Sequence, residues 1–200
     1  MAGNPNHPKK GSIVRAEPIR SREDRERIEA ALARRPRDRA LFVTGTNTAL
    51  RAVDLTRLTV GQVRGLRPGE ELLVREKKTG KVRRIIVNGK VCAALTEWLA
   101  VHPWAVDDDT AALFPNLRTG RPLTVPTLSK WVKRWCRQAG LVGNYASHSL
   151  RKSFGYSQRV DHGVGLAVLM KVYGHSTERQ TLTYLCIGDN EVRATFMQEV

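Results

Sequence analysis

The sequence predicts an α+β domain, mainly α-helical, with one small antiparallel three-stranded sheet. Three observations lead there. Apolar residues recur at helical spacing over both ends of the chain. Residues 59–88 instead break into short strand-like runs around Lys77-Lys78-Thr79-Gly80-Lys81, the composition of a hairpin turn. Finally, 200 residues with 41% apolar content suffice for one buried core and a short tail.

Residues 1–22 mix Pro, Gly, Asn and basic residues without period and read as a flexible basic tail. Ser21 is placed to cap a helix with Glu23 and Asp24 in its first turn and Arg34 and Arg35 at its end, which suits the helix dipole. A second helix follows Pro36 and is expected to close at Gly45. A shorter one over 48–58 would set Leu50, Val53 and Leu58 on one side. Strands are expected at 60–65, 71–76 and 82–88. From Gly89 the helical pattern returns, with Val91, Ala94, Leu95, Trp98 and Leu99 on one face. Asp107–Asp109 mark a loop and 113–124 reads as extended. Residues 126–200 form three or four helical pieces broken near 140–144, 163–165, Gly174 and 188–189. The domain is bounded at 23–188, with a C-terminal helix at 189–200.

The charge carries the first functional information. Thirty-four Lys and Arg against 19 Asp and Glu give +15, which points to a polyanionic partner. No run approaches the roughly 18 apolar residues of a membrane span, and no signal peptide opens the chain. Cys92, Cys136 and Cys186 lie far apart with no CxxC pair, so neither a disulfide framework nor a metal site is expected. From Thr110 to Val160 there is no acidic residue but there are nine basic ones, Lys152 among them. Lys130, Lys133, Arg134 and Arg137 fall at i, i+3, i+4 and i+7, one helical face, opposite Leu128, Trp131, Val132 and Trp135. Such a face is either simply solvated or apposed to phosphates, and the acid-free run around it favours phosphates.

Other candidates are weak singly. His148 and Arg151 sit at i, i+3 near a helix start that Ser147 would cap, an arrangement able to hold a phosphate. Arg51 precedes Asp54 by three residues, as a surface ion pair or as an arginine oriented by its own carboxylate. Lys77, Lys78 and Lys81 crowd the hairpin turn. Gly174 ends a helix, His175 follows, Thr177-x-x-Gln180 starts the next helix as a capping box, and Tyr184 lies two turns in.

Together, the order Arg51, Lys78, His148-x-x-Arg151, Gly174-His175, Tyr184 resembles the tyrosine recombinase (phage integrase) family. The local phrases GTNTALRAVDL, KKTGK, HSLRKS and YGHSTERQTLTY carry the likeness over roughly residues 22–188. The resemblance implies that family's catalytic-domain fold and a site-specific recombinase or integrase. In such an enzyme Tyr184 forms a 3′-phosphotyrosyl link. Arg51 and Arg151 hold the non-bridging oxygens, Lys78 protonates the leaving 5′-oxygen, with Lys77 and Lys81 as fallbacks, and His148 and His175 polarise the phosphate. Asp54 supports the arginine site. No metal, cofactor or ATP is implied. Double-stranded DNA is the implied partner, met by Lys130, Lys133, Arg134, Arg137, Lys152 and Thr127, with Thr124 and Ser129 nearby. A monomer when free would form a homotetramer on DNA, and Val192, Phe196 and Met197 would dock on a neighbouring subunit or pack internally. A cytoplasmic, nucleoid-associated protein is expected.

Fifty residues precede Arg51, where most members carry a core-binding domain, so weak and strongly salt-dependent DNA affinity is expected of this chain. Tyr173 stands where an aliphatic residue is usual and brings a second phenol near the site. The competing functions are a DNA-binding regulator with a degenerate site and a nicking-closing topoisomerase.

Overall fold

The computed structural model describes residues 15–188 together with 193, 196 and 197. Residues 15–21, expected at the end of a flexible tail, are packed extended chain. Ile19 is fully buried, its N–H donates to Ser153 Oγ at 2.7 Å, and Glu17 N–H donates to the Asn144 carbonyl at 2.8 Å. One isoleucine with a pocket to fill outweighs the polar composition around it. Residues 1–14 and Val192 lie outside the described residues, while Phe196 and Met197 are exposed.

Helix α1 (Arg22–Ala31) starts at Ser21, whose Oγ accepts the Asp24 N–H. Helix α2 (Pro36–Asn47) runs two residues past Gly45. Gly45 is a packing glycine: a Cβ there would stand 2.7 Å from Leu150 Cδ1. The helix expected over 48–58 is reduced to α3 (Ala52–Leu55), because Ala49 takes the left-handed conformation (φ 51°) and Arg51 is extended. That break puts Arg51 at the N-cap of α3.

The expected first strand is instead a helical turn, α4 (Val60–Val63). Val60 and Val63 fit an i, i+3 spacing as well as an alternation. Gln62 Oε1 accepts the Thr59 N–H at 2.9 Å, and the resulting capping box selects the helix. The sheet therefore has two strands, β1 (Glu71–Arg75) and β2 (Val82–Ile86), antiparallel with Leu72 opposite Ile85 and Val74 opposite Arg83. Leu72, Val74 and Ile85 face the core, and strand alternation puts Arg83 on that same inner face.

Helix α5 (Gly89–Leu99) packs along α2, burying Val91, Ala94, Leu95 and Trp98. Residues 113–124 form a turn closed by a bridge between Pro115 and Pro122. Helix α6 (Val125–Gln138) buries Leu128, Val132 and Trp135, while Trp131 stays partly open under the Arg37 guanidinium, 4.4 Å from its ring centre. Helix α7 (Ser147–Val160) crosses the molecule between α2 and α6. Its N-cap is Ala146 rather than Ser147, and Ser149 Oγ accepts the Ala146 N–H at 3.0 Å. Helices α8 (Leu166–Tyr173) and α9 (Glu178–Leu185) pack on α7 around a second, smaller apolar cluster of Ala49, Leu169, Tyr173 and Leu185. Gly155 permits that approach, since a Cβ there would collide with the Tyr173 hydroxyl and lie 2.6 Å from Leu185 Cδ2.

Candidate active site

Three local devices deliver the site. The left-handed turn at Ala49 aims its carbonyl into the interior, where the Arg151 guanidinium donates to it and Arg83 donates at 3.1 Å. The left-handed Gly174 (φ 68°) ends α8 and turns the chain so that His175 stacks on Tyr173, ring centres 5.3 Å apart at 20°. Thr177 Oγ1 caps α9 by accepting the Gln180 N–H at 3.1 Å, while Gln180 reaches back to the Ser176 N–H rather than that of Thr177. Two turns on, Tyr184 meets the edge of His175, centres 5.2 Å apart at 73°.

Tyr184 faces a cleft of about 590 Å³ that is also lined by His148, Lys152, His175, Arg15 and Arg179. Arg151 is buried beneath this cleft, 4% exposed, with Nη2 3.4 Å from the Tyr173 carbonyl and its guanidinium 4.6 Å from the Tyr173 ring centre. The structure thus brings Tyr184, His148, Arg151 and His175 together, and Arg51 is near enough for its charge to act on both Tyr184 and His175.

Two predicted positions have surroundings that the sequence did not indicate. Lys152, expected to meet DNA, is interior and apart from the exposed basic residues of α6: it is 5% exposed, its Nζ donates to Cys186 Sγ at 3.2 Å and lies 5.1 Å from the Tyr184 ring centre. One helical turn after His148, it must share that residue's face. Asp54 does not pair with Arg51. It is buried, its Oδ1 accepts the Lys77 N–H at 2.8 Å, and its Oδ2 has no hydrogen-bond partner among the described residues. The carboxylate that pairs with Arg51 is Glu76, which also lies 3.8 Å from Arg83. Arg83 occupies an inward position of an alternating strand, a signal present in the sequence. Glu76 gives no such signal, because its partner is brought to it by tertiary structure.

Lys78 is exposed on the hairpin turn and makes no hydrogen bond or ion pair among the described residues. Lys130, Lys133, Arg134 and Arg137 all stand exposed along α6, without a carboxylate partner among the described residues. Thr127 is partly buried, its N–H accepted by the Thr124 cap and its Oγ1 2.9 Å from that of Thr124.

The electrostatics follow from burial beside cations. Removal from water raises the Tyr184 phenol above its usual value, outweighing the charge and hydrogen bond of Arg151 and the charge of Arg51. The phenol is protonated at neutral pH. Partial removal from water, then the charges of Lys152 and Arg151, holds His148 below the usual histidine value, although the residue keeps one side open to solvent. His175 is lowered by burial, then by Arg151 and Arg51, and its Nδ1 is 3.0 Å from Thr181 Oγ1. Both imidazoles are therefore neutral at pH 7. Tyr173 is unsuited to compete with Tyr184: its hydroxyl donates to the Arg151 carbonyl at 2.8 Å, and burial raises its pKa further.

A protonated phenol, two neutral imidazoles and buried guanidiniums at one cleft suit transfer of a group bearing anionic oxygens. Among the described residues no group of three or more His, Cys, Asp and Glu side chains gathers as a metal site would need.

The chain matches the model of the phage integrase family over residues 21–191. It is 28% identical over 183 residues to a probable integrase/recombinase, YoeC, of Bacillus subtilis, spanning 90% of this chain and 94% of that protein. Tyrosine recombinase XerC of Caldanaerobacter subterraneus is 28% identical over 158 residues, 78% of this chain but 43% of that one. Among solved structures, XerA recombinase superposes with a TM-score of 0.73 at 21% identity, over 96% of this chain and 66% of its own. XerH recombinase in a post-cleavage complex with its difH substrate superposes with a TM-score of 0.71 at 23% identity, over 93% of this chain and 53% of that one. The chain spans about half the length of several of these relatives.

Proposed function

The chain belongs to the phage integrase family, and from that premise we propose that it is a site-specific DNA recombinase or integrase that cuts and rejoins strands through a 3′-phosphotyrosyl intermediate. The observation that carries this reading is the convergence of Tyr184, His175, His148 and Lys152 on one cleft directly above Arg151.

In the proposed first step Tyr184 Oη forms a bond to phosphorus while the bond from phosphorus to the 5′-oxygen breaks. The phenolic proton must leave, since the phenol is neutral, and the neutral imidazole of His148 is placed in the same cleft to receive it. Lys78 supplies a proton to the departing 5′-oxygen. Arg51 and Arg151 stabilise the charge that builds on the non-bridging oxygens, and His175, locked by Thr181 and stacked on Tyr173, orients the phosphate. Asp54 acts on the hairpin, by holding Lys77, rather than on Arg51 itself. The covalent link keeps the phosphodiester energy, so rejoining is the reverse attack by a 5′-hydroxyl and requires no ATP.

The unpaired basic face of α6 is the proposed track for double-stranded DNA, with Thr127 near its start and Lys152 lying within the catalytic cleft. Strand exchange requires a synaptic assembly, proposed as a homotetramer formed on DNA from monomers, with the segment 189–200 docking between subunits. The site of action is the cytoplasmic nucleoid. A duplex nicked beside the scissile phosphate loses its 5′-hydroxyl fragment and traps the intermediate. Wild type should form a covalent protein–DNA adduct and Tyr184→Phe none. Equal adduct from both, or no adduct from wild type, overturns the reading.

A further inference from the structure

We infer that Glu76 is a positioning residue for strand cleavage, holding Arg51 and the Lys78-bearing turn in register through one carboxylate; this rests on the proposed roles of Arg51 and Lys78. The contacts are specific. Glu76 directly follows β1 and begins the hairpin turn. Its carboxylate pairs with Arg51 at the N-cap of α3 and lies 3.8 Å from Arg83 on β2. Its other oxygen accepts the Thr79 hydroxyl at 2.8 Å, and its backbone pairs with Lys81 and Gly80 at 2.9 and 2.8 Å. Lys78 thus lies between Glu76 itself and three residues fastened to it.

The charge balance gives the contact its force. Arg83 and Arg151 share the Ala49 carbonyl with Arg51 close by, and burial, then the Arg151 charge, push the Arg83 guanidinium below the usual arginine value. Among the described residues Glu76 is the only carboxylate in ion-pair range of any of the three. Its side chain is 12% exposed, so the pairing is poorly screened. Burial pushes its carboxyl pKa up. The Thr79 hydrogen bond and the charges of Arg51 and Arg83 together outweigh that and hold it below the ordinary glutamate value. An amide at 76 keeps the shape but leaves three like charges facing one another, and Arg51 and the turn lose their common anchor.

The test compares wild type, Glu76→Gln and Glu76→Asp of the full chain in single-turnover cleavage of the nicked duplex. Glu76→Gln should cut slower by on the order of 100-fold, as a misplacement of about 1 Å does, with DNA Kd within about threefold of wild type because many phosphate contacts remain. Glu76→Asp should recover part of the rate. A second substrate carries sulfur in place of the bridging 5′-oxygen, and its thiolate leaves without a proton. The Glu76→Gln deficit should shrink on it without vanishing, since the Lys78 share is bypassed and the Arg51 share is not. A wild-type rate in Glu76→Gln, a faster one, or a deficit equal on both substrates overturns the inference. If wild type forms no adduct, the proposed function fails instead. Glu76 is then decided by NMR: the Arg51 guanidinium Nη–H signals, Nη1 being the atom that faces Glu76, should be protected from solvent exchange in wild type and lose that protection in Glu76→Gln, and equal protection in both refutes the role.

Discussion

Replacing Gly155 by Ala tests whether the seat of α8 and α9 on α7 controls the site. In an unobstructed helix this change would stabilise by about 1 kcal/mol through propensity alone. Here the new methyl meets the Tyr173 hydroxyl and Leu185 Cδ2, the latter at 2.6 Å. Overpacking of this kind costs about 2 kcal/mol, and moving the hydroxyl forfeits its 2.8 Å bond to the Arg151 carbonyl, about 1 kcal/mol more. The net is roughly 2 kcal/mol of destabilisation, or a Tm lower by roughly 4–8 °C for a chain of this size. Relief moves α8 and α9 outward, carrying His175 and Tyr184 off Arg151, so adduct formation should fall by on the order of 100-fold. Thermal unfolding and nicked-duplex trapping read the two effects. In a Tyr173→Phe background, which removes the atom nearest the new methyl, the cost of Gly155→Ala should shrink. A Tm that rises with Gly155→Ala, with adduct unchanged, would refute the packing argument.

Other perturbations follow from the charges. His148 and His175 both have folded pKa values depressed below 6.5, so the unfolded chain binds their protons first. Stability should be fully present above pH 6.5 and decline as pH falls through it toward the folded values, which a Tm series from pH 8 to 5 measures. Lys152→Met removes the charge that, after burial, does most to lower the His148 pKa. The His148 NMR titration and the acid limb of the cleavage profile should both move to higher pH, and an unmoved titration would contradict the assignment. Neutralising Lys130, Lys133, Arg134 and Arg137 together should lower the slope of log K against log salt by about 3–4 if all four meet phosphates. Tm should change little, because none of the four holds a carboxylate among the described residues.

What the sequence made legible was the part of the site written in chain order. Tyr184 two turns into α9, and Lys152 one turn after His148, follow from helical spacing. The strand expected at 60–65 failed because Val60 and Val63 satisfy two periods at once, and only the Thr59–Gln62 capping box decides between them. The left-handed Ala49 was not legible, since nothing in an alanine marks a positive φ, yet that turn sets Arg51 at a helix N-cap and supplies the carbonyl shared by Arg83 and Arg151. The i, i+3 spacing suggested Asp54 as the partner of Arg51. The actual partner, Glu76, is brought in by the folding of the hairpin, a contact no local pattern encodes.

Mass spectrometry of the trapped complex bears most directly on the central claim, that the Tyr184 phenol is the group delivered to phosphorus. Digestion of protein and DNA should leave a nucleotide bearing its 3′-phosphoryl group on the peptide containing residue 184, and none on those containing 145, 156 or 173. A nucleotide on Tyr173, or adduct persisting undiminished in Tyr184→Phe, would contradict the account.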